Sequence, residues 1–261
     1  MVNVPVMVDP PSPRAEGVKP EVALKIAEML RGGRRYFGSS GASLTHQAYN
    51  PDYESKGIKP ELARIGLQGE RDTTTVLKRW LKDKPGAVLV DSVHVRGWGK
   101  EEVDEETGMI EGGDTDHVLL VGSEVILIDT KRWKSKRNYS VGDNGEALRT
   151  GKPFPGGNLH MQQAIHLWLD YLYEDASITG IVCINAEETV VFRNRNWYTK
   201  PYRLVEIGRF TELLDEKWKM ISDYDKTHIN STLVAQVVVS AVKPYDPYTR
   251  VFDAKALADF R

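Results

Sequence analysis

Residues 116–131 read DHVLLVGSEVILIDTK, two apolar runs joined by Gly122-Ser123. Gly at the first central position of a two-residue loop favours a tight β-hairpin. Counting outward from that turn pairs Val121 with Glu124 and Leu120 with Val125, and brings Asp116 opposite Asp129. Both faces of the predicted hairpin are apolar: Val118, Leu120, Val125 and Leu127 on one, Leu119, Val121, Ile126 and Ile128 on the other. A strand pair covered on both sides belongs in the middle of its sheet. The charged residues therefore stand at the end of a buried, rigid scaffold.

Cross-strand neighbours lie about 4.5–5.5 Å apart at Cβ, and two carboxylates at that distance repel. Packing offers no reason for such a pair, whereas a divalent cation between them reverses the sign of the interaction. Hard carboxylate oxygens suit Mg2+, with Mn2+ as the alternative. Lys131 lies two residues beyond Asp129 and shares its face of the strand. An ammonium there can hold a water or stabilise charge that develops on a reacting group. The bland alternative is a solvated strand end with a surface ion pair, as a bare Asp-x-Lys usually is. The opposed Asp116 and the buried hairpin favour a site.

Upstream, Pro60 suits the first turn of a helix running to Lys84, with Leu62, Ile65, Leu77, Trp80 and Leu81 at helical spacing. Glu70, Thr74, Leu77 and Leu81 follow one stripe of it, which puts the Glu70 carboxylate in line with the core-facing side. Gly66 and Gly69 weaken that helix, as expected where a helix backbone must approach a sheet. A strand is predicted at Ala87–Val95, then an acidic, turn-rich segment from Glu101 to Asp114. Downstream, Tyr139–Thr150 reads as a polar excursion around Gly142-Asp143-Asn144-Gly145. A helix at Leu159–Tyr173, a buried strand at Thr179–Asn185, further strands at Val190–Arg193 and Tyr202–Ile207, and helices at Phe210–Ile221 and Thr232–Val242 follow. Five prolines in residues 1–20 predict an extended arm, Glu21–Arg31 a short helix ended by Gly32-Gly33, and 34–58 a loop with at most a helical turn. The order helix, three strands, helix, strand describes a helix-flanked sheet of α/β or α+β type. Three parts are expected: residues 1–59 as an N-terminal arm with a short helix, 60–208 as the core, and 209–261 as a C-terminal helical segment and tail.

The 261 residues are 41% hydrophobic and 28% charged, as in an ordinary globular protein, and the net charge is −2. Global charge therefore does not mark a nucleic-acid binder, and any such role rests on a local basic patch. Residues 131–137, KRWKSKR, are one: five of seven are basic, and they leave directly from the predicted site. Arg132, Lys134, Lys136 and Arg137 can clamp phosphates and Trp133 can stack on a base, contacts that position without reading sequence. The plain alternative is a solvated loop with Trp133 as a core plug. Cys183 is the single cysteine, so no intrachain disulfide or Cys-rich zinc site exists. With no signal-like start and no apolar run of bilayer length, a cytoplasmic location without a membrane partner is expected. No Gly-rich phosphate loop is present, so no nucleotide cofactor is expected.

Taken in order, Gly69-Glu70 in the helix, Asp114-Thr115-Asp116-His117, and Ile128-Asp129-Thr130-Lys131-Arg132-Trp133 resemble the nuclease-related domain (NERD) family of the PD-(D/E)xK nuclease superfamily, over roughly residues 60–175. No single motif is specific; the ordered set is. The resemblance implies a restriction-endonuclease-like core of helix, central mixed sheet and flanking helix, and hydrolysis of phosphodiesters with Mg2+, on DNA. It implies Asp116, Asp129 and the Thr130 carbonyl as metal ligands, Glu70 as a helix carboxylate assisting metal or water, and Lys131 as the catalytic lysine. It also implies a glutamine on the helix after the lysine strand. Helical phase favours Gln162, and the following Ala164 makes Gln163 closer to the family pattern, so both are candidates. The stretch between Lys131 and that helix is longer and more basic than in the family. Two rival readings are a nucleic-acid-binding module without activity and a structural protein of an oligomer or larger assembly.

Overall fold

The computed structural model describes residues 6–12, 17–49, 59–95, 113–133, 138–142, 146–154, 157, 160–172, 176–186, 191–192 and 202–242. Met7–Val8 form β1 and Pro20–Arg31 form α1; Pro20 opens that helix, where an N–H has no intrahelical partner anyway, and Ala23, Ile26, Ala27 and Leu30 make its buried stripe. β2 (Tyr36–Gly38) and α2 (Ala42–Tyr49) precede α3 (Pro60–Leu81), the helix that carries Gly69 and Glu70. β3 (Ala87–His94), β4 (Asp114–Val121) and β5 (Glu124–Lys131) follow, then β6 (Asn138–Val141), β7 (Ala147–Arg149) and β8 (Lys152–Pro153). α4 (Met161–Tyr171), β9 (Ser177–Ile184), β10 (Val191–Phe192), β11 (Tyr202–Glu206), α5 (Ile207–Met220), β12 (His228–Ile229) and α6 (Ser231–Val238) complete the order.

Six strands form a mixed sheet in the order β11-β9-β5-β4-β3-β2. β4 runs antiparallel to both its neighbours, β3 and β5, and the β2–β3, β5–β9 and β9–β11 pairs are parallel. β4 and β5 occupy the centre, as two apolar faces require. Their register is the one the turn sets, from Val121 with Glu124 to His117 with Ile128. Gly122 sits at φ +58°, and a Cβ there would strike the Asp225 side chain, so the turn needs glycine twice over.

Alternation along the strands sends side chains to two cores. Val88, Val90, Val118, Leu120, Val125, Leu127 and Val182 pack beneath α1, α4 and α6; Leu89, Leu119, Ile126, Ile128 and Ile181 pack beneath α3 and α5, against Leu77, Trp80, Phe210 and Leu214. The protein is thus an α/β sandwich of helix, sheet and helix.

Three regions differ from the sequence expectations. Tyr36–Gly38, expected in a loop, adds a parallel edge strand to β3; three residues are too short to show periodicity. The expected polar excursion at Tyr139–Thr150 holds β7 and most of β6, which join β8, just beyond it, and β10 in a small four-stranded sheet. The expected separation of arm, core and C-terminal segment is not how the packing falls. β1 pairs with β12, the Ser12 amide donates to Thr232 Oγ1, and α1 and α6 cover one face of the central sheet together. Proline density describes local chain stiffness and is silent about such long-range pairing. The expected tail at 243–261 and the acidic stretch at 101–112 lie outside the described residues.

Candidate active site

The β4–β5 ladder stops at His117–Ile128, one pair short of Asp116 and Asp129. Beyond it the Thr130 amide donates to Asp116 Oδ2 at 2.5 Å, a side chain taking the place of a backbone carbonyl. On the other edge of β5, Lys131 O accepts from the Asn185 amide at 2.8 Å. Neighbouring residues of a strand direct their backbone groups to opposite edges. Thr130 therefore turns both its N–H and its carbonyl toward Asp116. Opposite Asp116 on β3, Ser92 adopts φ +51°. Val93 and Val95 then join the same core as Val88 and Val90, so the alternation slips by one residue there. Such a backbone costs on the order of 1–3 kcal/mol. It is held by the Ala42 amide on Ser92 Oγ and the Val242 amide on Ser92 O, at 2.9 and 2.7 Å.

Into this splayed end α3 delivers Glu70. It is 3% exposed, and its Oε2 has no hydrogen-bond partner. Burial, then the charges of Asp116, Asp114, Asp129 and Asp91, hold its carboxyl well above the ordinary range. Asp116 is raised in the same way by burial and by Asp129, with Lys131 pulling it back. Asp114 is raised by burial, against the hydrogen bond it accepts from Ser43 at 2.5 Å. Lys131 Nζ lies 2.8 Å from Asp129 Oδ1. Burial lowers its pKa, but Asp129 and Asp116 outweigh that and raise it, so the ammonium keeps its charge. Asp129 Oδ2 is buried without a partner. The Asp129 and Lys131 side chains retain 19% and 29% exposure, which makes their edge the opening of the cluster.

These residues suit a divalent cation. Four carboxyls repel one another in a buried place, and two of their oxygens lack any donor. Hard oxygen donors with uncompensated negative charge are what Mg2+ or Mn2+ takes. Glu70, Asp116, Asp129 and the Thr130 carbonyl are the groups that would hold it. Among the described residues no group of three or more His, Cys, Asp or Glu side chains is, as the side chains stand, placed to hold a metal ion. The donors form an open cluster, with the Lys131 ammonium on Asp129 Oδ1.

Beneath the cluster, on the α3 side, lies a second set of polar groups. His117 turns away from Asp116 as alternation requires, and its Nδ1 is 2.8 Å from Asp91 Oδ1, both side chains fully buried. Asp91 Oδ2 accepts from Thr74 Oγ1 at 2.9 Å and from the Tyr36 hydroxyl at 3.0 Å. His117 Nε2 is 3.2 Å from Thr130 Oγ1. With Nδ1–H directed at the carboxylate, Nε2 faces the Thr130 hydroxyl, the partner that fixes the ring's orientation. The network thus reaches the residue whose amide holds Asp116.

The remaining predicted residues divide. Arg132 lies at the site's edge, its Nη1 3.5 Å from Asp72 Oδ2. Trp133 stacks on Tyr139 with centroids 4.7 Å apart and meets Phe154 edge-on at 5.2 Å, so one of its faces is already taken by the core. Lys134, Lys136 and Arg137 lie outside the described residues. Gln162 and Gln163 are exposed on α4, whose buried stripe is Met161, Ala164, Ile165 and Trp168; among the described residues neither makes a hydrogen bond to the cluster. Cys183 is buried, and burial pushes its thiol up to about 12, which leaves it inert. Sequence reasoning missed Asp114, Asp91 and Asn185 as parts of the site. Asp91 did carry a signal, a lone acid inside the apolar run Ala87–Val93.

The chain matches no known protein family, no curated protein and no solved structure. Among the described residues no helix is long and apolar enough to cross a membrane.

Proposed function

We propose that the protein is a metal-dependent nuclease of the PD-(D/E)xK type that resembles the NERD family and hydrolyses phosphodiester bonds in DNA in the cytoplasm. The carrying observation is the buried carboxyl cluster drawn from α3, β4 and β5, with one lysine beside it and two carboxylate oxygens left without donors. The succession α3, β3, β4, β5, α4, β9 supports a restriction-endonuclease-like core.

Asp116, Asp129 and the Thr130 carbonyl, helped by Glu70, would hold Mg2+ or Mn2+. A cation there would offset the carboxylate repulsion and supply Lewis-acid stabilisation of charge on a phosphate oxygen. Lys131 keeps its proton through Asp129 and Asp116 and donates to the attacking water or to the phosphate as charge builds on it. Glu70 and Asp116 would hold a cation as carboxylates, so its binding would release to solvent any proton they carry in the free site. The DNA backbone reaches the cluster at the exposed Asp129–Lys131 edge, from which residues 132–137 lead.

Cleavage of supercoiled and linear DNA in Mg2+, Mn2+ or EDTA tests this, with Asp129→Ala and Lys131→Ala beside the wild type. The expected result is cleavage that needs metal and falls on the order of 10²–10³-fold in each variant. DNA bound equally by all three proteins, with no cleavage in either metal, would leave a binding module and sink the enzyme.

A further inference from the structure

Asn185, the residue just past β9, touches both halves of the candidate site. Its backbone N–H donates to Lys131 O at 2.8 Å, extending the β5–β9 ladder by one bond. Its side-chain Nδ2 donates to Gly69 O at 3.3 Å and to Asp72 Oδ2 at 3.2 Å, both in α3. The first of these acceptors belongs to the residue before Glu70, and the Lys131 carbonyl belongs to the lysine itself. One buried residue, 8% exposed, therefore ties the helix carboxylate to the strand lysine.

The tie is needed because electrostatics opposes it. Glu70 is buried beside the like-charged groups Asp116, Asp114 and Asp129, and its Oε2 has no hydrogen-bond partner to hold it there. No apolar contact can be placed inside such a cluster to hold it. The grip falls instead on the turn beside it. Gly69 brings that turn close, since a Cβ there would lie 3.4 Å from the Arg132 side chain and 3.6 Å from that of Thr130. Asp72 takes both the Asn185 amide and, at 3.5 Å, the Arg132 guanidinium.

We infer that Asn185 is a positioning residue that sets the distance between Glu70 and the Asp129–Lys131 pair, and through it the affinity of the site for a divalent cation. The inference rests on the metal-dependent nuclease reading. Asn185 touches no reacting atom; it acts through Gly69 and Lys131, as outer-shell partners of metal sites do.

Calorimetric titration of the full chain with Mn2+, together with steady-state cleavage of DNA, tests it on wild type, Asn185→Ala and Asp72→Ala. Asn185→Ala should bind Mn2+ about 10–100-fold more weakly, the ordinary cost of losing an outer-shell partner. Its kcat should fall while KM for DNA stays the same, because Asn185 lies on the metal side of the site. Asp72→Ala removes one of the two side-chain anchors at a half-exposed position and should weaken Mn2+ binding by a smaller factor. It also serves if Asn185→Ala does not fold. The double variant Asn185→Asp/Asp72→Asn reverses the side-chain hydrogen bond but leaves Gly69 without a donor, and it should not recover the affinity. Folded variants with wild-type Mn2+ affinity and kcat overturn the inference alone. A wild type that binds no Mn2+ and cuts no DNA overturns the nuclease reading, and this inference with it.

Discussion

Glu70 carries a carboxyl that burial and the Asp116 charge hold protonated well beyond the ordinary range, with one oxygen lacking a partner. Such a group has a consequence for stability. A carboxyl whose folded-state pKa exceeds its unfolded value stabilises the fold below the unfolded value, about 4–4.5, and that contribution is lost as pH rises through the raised one. Asp116 shifts in the same direction. The melting temperature in EDTA should therefore fall as pH climbs from 5 to 8, and Mn2+ should restore it at the upper end by binding only the folded state. Glu70→Gln should flatten the slope and, at the upper end of the pH range without metal, be more stable than wild type, because it removes a carboxyl that costs stability as it ionises. A melting temperature that is level across pH 5–8, or a Glu70→Gln protein less stable than wild type, would refute this account. At this scale the sequence was readable wherever a periodicity fixed direction. Hairpin register brought Asp116 toward Asp129, period two put Lys131 beside it, and helical phase aimed Glu70 inward. Asp114 and Asn185 escaped because their partners, Ser43 and Gly69, lie 71 and 116 residues away in the chain.

Helix α3 and the central strands meet through polar as well as apolar contacts, and the buried His117–Asp91 pair is the centre of the polar ones. Thr74 from α3 and Tyr36 from β2 donate to Asp91 on β3, while His117 on β4 reaches Thr130 on β5, so five elements meet at one carboxylate and one imidazole. Removing one partner of a buried hydrogen-bonded pair leaves the other unsatisfied, typically at about 1–3 kcal/mol. His117→Ala should lower the unfolding free energy by that amount in urea denaturation, while Asp91→Asn, which keeps the shape without the charge, should lower it less. A loss under about 1 kcal/mol for His117→Ala would mean the pair is a passenger. Elements with long repeats were legible: α3, β3, β4, β5, α4 and β9 stand where spacing and alternation predict. β2 and the strands β6 to β8 were not, since two to four residues carry too little pattern and their existence depends on a neighbour's exposed edge.

At the scale of the whole molecule, segments far apart in the chain share one core. β1 pairs with β12, α6 is buried along Ser231–Val237 beneath α1, and α5 closes the opposite core with Phe210 and Leu214. None of this was visible in composition, because proline content and apolar runs describe segments one at a time, whereas a shared core is a property of their meeting. The consequence is that residues 60–208, the stretch which carries every proposed catalytic residue, lack the material to fold alone. Ile26, Leu30, Phe37, Phe210, Leu214, Leu233, Val234 and Val237 are all buried and all lie outside it. Each contributes roughly 1.5–3 kcal/mol when buried, and together they rival the whole margin of a domain, about 5–15 kcal/mol. Without them the outer faces of the central sheet under α1, α5 and α6 would stand open to water. A 60–208 fragment should therefore show no cooperative thermal transition and no metal-dependent cleavage, while the full chain melts in one step, as calorimetry and near-UV circular dichroism would record. A fragment that melts cooperatively and cuts DNA would show instead that the two ends merely decorate a self-sufficient core.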